Sequence, residues 1–460
     1  MPVILKKKKM LPAPPSPPEQ PGAVIKFPAV AVLPNVELSE DAIAEAFALT
    51  YLDTLRFDHT RGKWFEWNGS RWKRNDTELA FDYARQLCRK HRKDQLRMSS
   101  RKAAEGVELM AQRDQQLAVT SEIWDRDPFL LGTPGGTVDL KTGVLQSAAR
   151  EQFITKLTSV TPAAMADCPL FLKFLAEATA GDEELQGFMQ RWAGYCLTSD
   201  TSEHALLFVY GPGGNGKGVL KTVMTDILGD YAATAGMDTF AATKHHRHLT
   251  ELAMLDGARL VAASETERGQ AWSETRINQF TGGDLVTANF MRQDAFTYRP
   301  RLKLMIIGNH KPKLMSVNDA ARRRFNIVPF THKPNEVDKH LGDKLRLEYP
   351  GILRWMIDGC QDWLKNGLGL PDVVGKTTAD YFEEQDLFGQ WIEQKCNCGA
   401  GLKARADDLY GSWKTFATDN GEDAGSSTSF APRMVDIGFE KKKSGTMYYI
   451  GIELKKYPNT

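Results

Sequence analysis

Hydrophobic and polar positions divide the chain into segments of different period. From Leu11 to Pro34 there is no period at all. Eight prolines deny the backbone helical hydrogen bonds there and favour extended conformations, so residues 1–38 read as a disordered, Pro-rich tail. Ordered patterning begins at Ser39, a capping residue followed by Glu40 and Asp41 and then by Ile43, Phe47 and Leu49 at helical spacing. Asn68-Gly69 sits between two aromatic runs and predicts a hairpin over Trp64 to Lys73. The stretch Ala84 to Lys102 predicts a helix carrying Arg85, Arg89, Lys90, Arg92, Lys93, Arg97, Arg101 and Lys102. With no aromatic residue interleaved, it reads as a solvated face rather than a phosphate-binding one. A turn-rich segment from Trp124 to Gln146 ends in a predicted hairpin around Lys141 to Gly143. Apolar residues then recur at helical spacing from Phe171 to Tyr195.

Short apolar runs without alternation follow, each suited to a strand buried on both faces of a parallel sheet: LLFVY (206–210), RLVAA (259–263), LKLMII (302–307) and the run opening at Phe325. After the first run, Val219, Leu220, Val223, Met224, Ile227 and Leu228 mark a helix with one face for a sheet. Near the C-terminus, Leu409, Tyr410, Trp413 and Phe416 predict a helix. A second helix and two strands around Lys441 to Gly445 come next, an order that suits either a winged-helix-like module able to touch duplex DNA or a small packing domain. The expected fold class is α/β. Its divisions are the tail, an N-terminal α/β domain over 39–180, a nucleotide core over 181–340 and a C-terminal helical and winged-helix-like domain over 341–460.

Composition narrows this picture without redirecting it. A chain of 460 residues, 42% hydrophobic and 25% charged, is globular and too long for one core. With 59 basic against 58 acidic residues there is no overall pull toward nucleic acid, so any such binding must come from local patches. Scattered cysteines without a secretory signal suit a reducing cytoplasm, and Cys396 and Cys398 form C-x-C rather than the C-x-x-C of a zinc knuckle. No apolar run is long enough to span a bilayer, so a soluble protein with no membrane partner is expected.

The chemistry gathers where the apolar runs end. YGPGGNGKGV, between the first strand and its helix, fulfils the phosphate-loop pattern at Gly211, Gly216 and Lys217. Backbone N–H groups of Gly213 to Lys217 can point at phosphate oxygens while Lys217 reaches the outer phosphates. The cradle is then Gly211, Pro212, Gly213, Gly214, Asn215, Gly216, Lys217, Gly218 and Val219. Gly218 stands where a Ser or Thr hydroxyl would meet Mg²⁺, and Thr222, a turn further on, is roughly 5 to 6 Å too far to replace it. Mg²⁺ keeps several waters and needs few protein ligands, so hydrolysis is expected with weakened metal affinity.

The second apolar run leads into Ser264-Glu265-Thr266-Glu267, whose carboxylates could hold Mg²⁺ through water and polarise an attacking water. The third ends at Asn309, whose amide could orient that water or sense the γ-phosphate. Arg322, Arg323 and Arg324 precede the fourth, as a surface patch or as a group reaching a neighbouring subunit's site. His245, His246 and His248 cluster, but adjacent histidines rarely chelate one ion, and no metal site is expected there.

Five segments, GPGGNGKG, LAMLDGARLVAASETERG, QFTGGDLVTANF, IIGNHKP and AARRRFNIVPF, resemble in order and spacing the superfamily III helicase domain of phage and plasmid primase-helicases, related to poxvirus replication helicases. Upstream, WDRDPFLLGTPGGTVDLKTGVL and the segment running into the glycine loop resemble what precedes that domain, so the similarity covers about residues 60–335. The resemblance implies an AAA+-type P-loop fold and an ATP-driven homo-hexameric ring translocating on single-stranded DNA. It implies ATP and Mg²⁺ as cofactors, with Lys217 on the phosphates and Glu265 and Glu267 as the acidic motif. Glu265 stands behind the metal, Asn309 is the sensor, and Arg323 or Arg324 is the finger acting in trans.

Residues 282–300 correspond to the family's channel hairpin. Asn278 and Asn289 replace the Lys and Arg of many relatives, which leaves DNA grip to Arg292, Arg299 or Lys303. Only about 38 residues precede the first helix, so priming is expected from a separate chain, in the cytoplasm of a bacterial host. The alternative is an origin-binding or loader ATPase that hydrolyses weakly or not at all, a reading prompted by Gly218 and the two asparagines.

Overall fold

The computed structural model describes residues 39–91, 95–242, 249–264, 271–290, 294–314, 319–334 and 336–455. The chain forms two compact units, one of residues up to Glu66 with Arg74–Ser121, the other of Trp67–Lys73 with Glu122 onward. Residues 122–180 therefore pack with the second unit. In the first unit the helices Glu40–Tyr51, Leu79–His91 and Arg101–Ala111 enclose Ile43, Phe47, Leu87 and Val107. Ser39 caps the first of them, its Oγ accepting from the Ala42 amide at 3.1 Å. The basic run is not one helix. One helix ends at His91 and another starts at Arg101, where the Ser100 hydroxyl accepts from the Ala103 amide at 3.1 Å. Arg85, Arg89, Lys90, Arg101 and Lys102 are all exposed.

The second unit is built on a five-stranded, wholly parallel sheet. We number only its strands: β1 (Leu206–Tyr210), β2 (Ala232–Gly236), β3 (Leu260–Ser264), β4 (Lys303–Gly308) and β5 (Phe325–Pro329), in the spatial order β5-β1-β4-β3-β2. The chain crosses the sheet once from β1 to β2 and then returns. Right-handed crossovers consequently put the first connecting helix, α1 (Lys217–Leu228), on one face and the later helices on the other. Alternation along β1 shows both faces filled: Leu207 and Val209 pack with Leu220, Val223, Met224 and Ile227 of α1. Leu206 and Phe208 pack with Leu252, Ile277 and Phe280 of the helices Leu249–Ala253 and Glu274–Gly282. Register then gathers the C-terminal ends, with Tyr210 opposite both Gly308 and Pro329, and Ser264 opposite Ile307.

Under this sheet, helices Glu183–Cys196 and Tyr349–Asn366 cross at glycines. A Cβ on Gly194 would lie 2.0 Å from the Cys360 amide nitrogen, and one on Gly359 would lie 2.2 Å from the Gln190 carbonyl oxygen. The chain ends in helix Leu387–Lys395, strand Cys396–Arg405, helices Ala406–Asp419 and Ser427–Asp436, and strands Glu440–Ser444 and Thr446–Leu454. The last strand lies centrally between the other two, and its Tyr449 packs in one cluster with Trp391, Trp413 and Phe430. Lys441, Lys442 and Lys443 stand exposed on the edge strand, where charge blocks further strand pairing. Among the described residues no helix is long and apolar enough to cross a membrane, and no group of His, Cys, Asp and Glu side chains could hold a metal ion.

Candidate nucleotide site

Between the end of β1 at Tyr210 and the start of α1 at Lys217, the glycine loop turns tightly. Gly214 and Gly216 take φ of 80° and 84°, the left-handed region that glycine enters freely. Gly211 is needed for closeness, because a Cβ there would lie 1.9 Å from the Phe330 carbonyl oxygen just beyond β5. Gly213, Gly214 and Gly218 are exposed, and a Cβ on any of them would meet nothing within 4 Å. The loop thus has a tight inner side and an open rim at the N-terminus of a twelve-residue helix, a setting that favours an anion.

Asn215 and Lys217 hold the inner side together. Asn215 is 2% exposed. Its Nδ2 donates to the Phe330 carbonyl and its Oδ1 accepts from Lys217 Nζ at 2.8 Å. The Lys217 ammonium also donates to the carbonyls of Gly211 at 2.6 Å and Pro212 at 2.8 Å, and burial draws its pKa below the usual lysine value. Val219 packs toward the core beneath, while Thr222 is exposed a turn along. One contact was not anticipated from the sequence: Lys221 Nζ donates to Ser264 Oγ at 3.3 Å, across from α1 to the end of β3. Its position four residues after Lys217 was the available signal.

Asn309 follows β4 and is exposed beside the loop, where the Gly211 amide donates to the Gly308 carbonyl at 3.4 Å. Glu265 and Glu267 lie outside the described residues; in sequence they follow Ser264, which register aligns with Ile307. Lys217, Asn309 and the residue preceding the acidic pair therefore share one sheet edge. The arginines do not. The Arg324 carbonyl accepts from the Leu206 amide at 2.7 Å, at the opposite end of β1, about 13 Å of strand from Tyr210. Arg323 is exposed there, and Arg324 donates from Nε to Thr281 Oγ1 at 3.2 Å.

Of the three side chains expected to grip DNA, Lys303 is a correction. It opens β4, is 1% exposed, and donates to the carbonyls of Thr198 and Asp200 beyond the C-terminus of helix Glu183–Cys196. Its ammonium lies 4.6 Å from the Tyr195 ring centroid, and burial draws its pKa down to about 7. A buried cation at a helix C-terminus serves the fold and cannot reach a ligand in solvent. Arg299 is exposed, with its guanidinium on the Gly283 carbonyl. Arg292 and the three histidines lie outside the described residues. The segment 282–300 does contain an antiparallel pair, Val286–Ala288 with Phe296–Tyr298, and Phe290 stacks on Phe296 at 5.8 Å.

Residues 44–180 match the family described as D5 N terminal like. Residues 209–324, from the end of β1 to the arginines, match a family of unknown function, DUF5906. Two viral proteins named "Putative helicase" are similar. L207/L206 of Acanthamoeba polyphaga mimivirus is 23% identical over 64% of this chain and 34% of its own length. Protein 022R of Frog virus 3 is 26% identical over 52% of this chain and 27% of its own length. The chain thus spans about a third of the length of these relatives. The apo structure of the NrS-1 C terminal region aligns with TM-score 0.48 at 10% identity, covering 91% of this chain and 100% of that one. Over these stretches the chain is thus similar to D5-like N-terminal regions and to viral proteins named as putative helicases.

Proposed function

We propose that this chain is an ATP-driven DNA helicase of a phage, prophage or plasmid, a superfamily III motor with an AAA+-type P-loop core. It works as a homo-hexameric ring on single-stranded DNA, in a bacterial cytoplasm. The observation that carries this reading is the sheet edge. Lys217 lies in an open-rimmed glycine loop at a helix N-terminus, flanked by Asn309 and by the strand end leading into Glu265.

Each residue then has a defined task. The loop amides and Lys217 bind the polyphosphate, with Lys217 exchanging its loop carbonyls for phosphate oxygens. Asn309 orients water near the γ-phosphate. Arg323 or Arg324, being at the far edge, serves the site of the next subunit. The open loop suits a nucleotide. For Mg²⁺, position 218 offers no oxygen, so the carboxylates of Glu265 and Glu267 would hold it, and the ion would neutralise charge on the β- and γ-phosphates. The C-terminal module, with its helix pair and strand hairpin, would act as the winged-helix-like contact to duplex DNA.

Lys217→Ala is expected to abolish ATP binding and DNA-stimulated ATPase activity, measured by fluorescent-nucleotide titration and phosphate release; normal binding by this variant would overturn the site. The second reading, a loader or origin-binding ATPase with little turnover, draws on Gly218. ATP turnover that stays negligible with single-stranded DNA, alongside normal nucleotide binding, would favour it over the helicase.

A further inference from the structure

Resting on the nucleotide-site reading above, we infer that Lys221 is a polyphosphate-binding cation that stands in for the missing metal-ligating hydroxyl. It makes nucleotide binding by this chain less dependent on Mg²⁺.

Three observations converge on it. Gly218 supplies no side chain, a Cβ built there meets nothing within 4 Å, and the side chains of Lys217, Val219 and Leu220 beside it carry no oxygen, so the first turn of α1 presents no side-chain oxygen to a metal. Helical period places Lys221 one turn beyond Lys217, three residues after Gly218. Its ammonium has moreover crossed from α1 to the end of β3. Nζ lies 3.3 Å from Ser264 Oγ, and among the described residues its hydrogen-bond partner is that neutral hydroxyl.

A lysine ammonium has three donors, so two remain for a ligand. The location also sets what the charge is for. The Lys221 ammonium stands at the end of β3, at the same end of the parallel sheet as the glycine loop, where a polyphosphate gains from a cation beside it. Where a Ser or Thr hydroxyl helps fix Mg²⁺, the ion supplies that cation. Here a covalently attached one lies between the loop helix and the end of β3.

The test is affinity of the full chain for a fluorescent ATP analogue, titrated with excess Mg²⁺ and again with EDTA, and thermal unfolding run on each variant. Wild type should lose less than tenfold in affinity when Mg²⁺ is removed. Lys221→Met, which keeps the apolar stem, should bind about tenfold more weakly in EDTA, with a much smaller deficit in Mg²⁺. Lys221→Arg should behave as wild type. Adding Gly218→Ser to Lys221→Met should restore affinity in Mg²⁺ only. The inference is overturned if Lys221→Met matches wild type in both conditions, or loses equally in both, as a packing role would give. Neither result touches the site itself, which fails separately if Lys217→Ala binds the analogue normally.

Discussion

Two lysines in this chain show how position decides what a buried ammonium can do. Lys217 and Lys303 are both nearly inaccessible and both donate to backbone carbonyls. Lys217 borders the open rim of the glycine loop and can exchange its partners for phosphate oxygens. Lys303 is enclosed by the end of helix Glu183–Cys196 and cannot. A consequence for stability follows from its pKa of about 7, below the usual 10.5. Between those values the unfolded chain binds the extra proton, so stability rises with pH through the window and flattens below it. Urea unfolding of wild type and Lys303→Met at pH 7 and pH 9 should show the wild type gaining relative to the variant, by up to about 1.4 kcal/mol per pH unit. A parallel response of the two proteins would count against this account. Nothing local in LKLMII announces the burial. The enclosing carbonyls come from Thr198 and Asp200, more than a hundred residues earlier, which is why a strand-opening lysine read as a surface cation.

Elements were legible where their pattern is self-contained. The runs at Leu206, Leu260, Lys303 and Phe325 are strands because continuous apolar residues demand burial on both faces, and the sheet supplies it. β2 escaped notice since Ala232–Gly236 reads AATAG, small residues with little strand preference, held in place by pairing with β3. Strand Cys396–Arg405 was equally silent, its glycines and a register shift between Cys398 and Lys403 erasing any alternation. In the site, the glycine loop and its lysine were plain in sequence, whereas the Asn215 link to Phe330 depends on β5 lying next to β1. The glycine seam between helices Glu183–Cys196 and Tyr349–Asn366 is likewise non-local. Gly194→Ala should destabilise the second unit by about 3 kcal/mol, since the added carbon meets backbone rather than a movable side chain. Denaturant unfolding followed by tryptophan fluorescence would measure this, and an unchanged midpoint would show that the helices can separate freely.

At the scale of the whole molecule, the decisive feature is that the lysine and the arginines occupy opposite ends of the same sheet. Within one chain they cannot meet across about 13 Å of strand. If Arg323 or Arg324 completes a neighbour's site, then Lys217→Ala and an Arg323→Ala/Arg324→Ala double variant should each be inactive alone. Mixed, they should regain part of the ATPase activity, because some interfaces pair an intact loop with an intact arginine. Absence of any recovery in mixtures shown to co-assemble would place the arginines outside catalysis. A polypeptide completed in this way would carry two unmatched halves, and its output per molecule would be set by how often copies find one another. Dilution alone would then silence it, and local crowding of copies would switch it on.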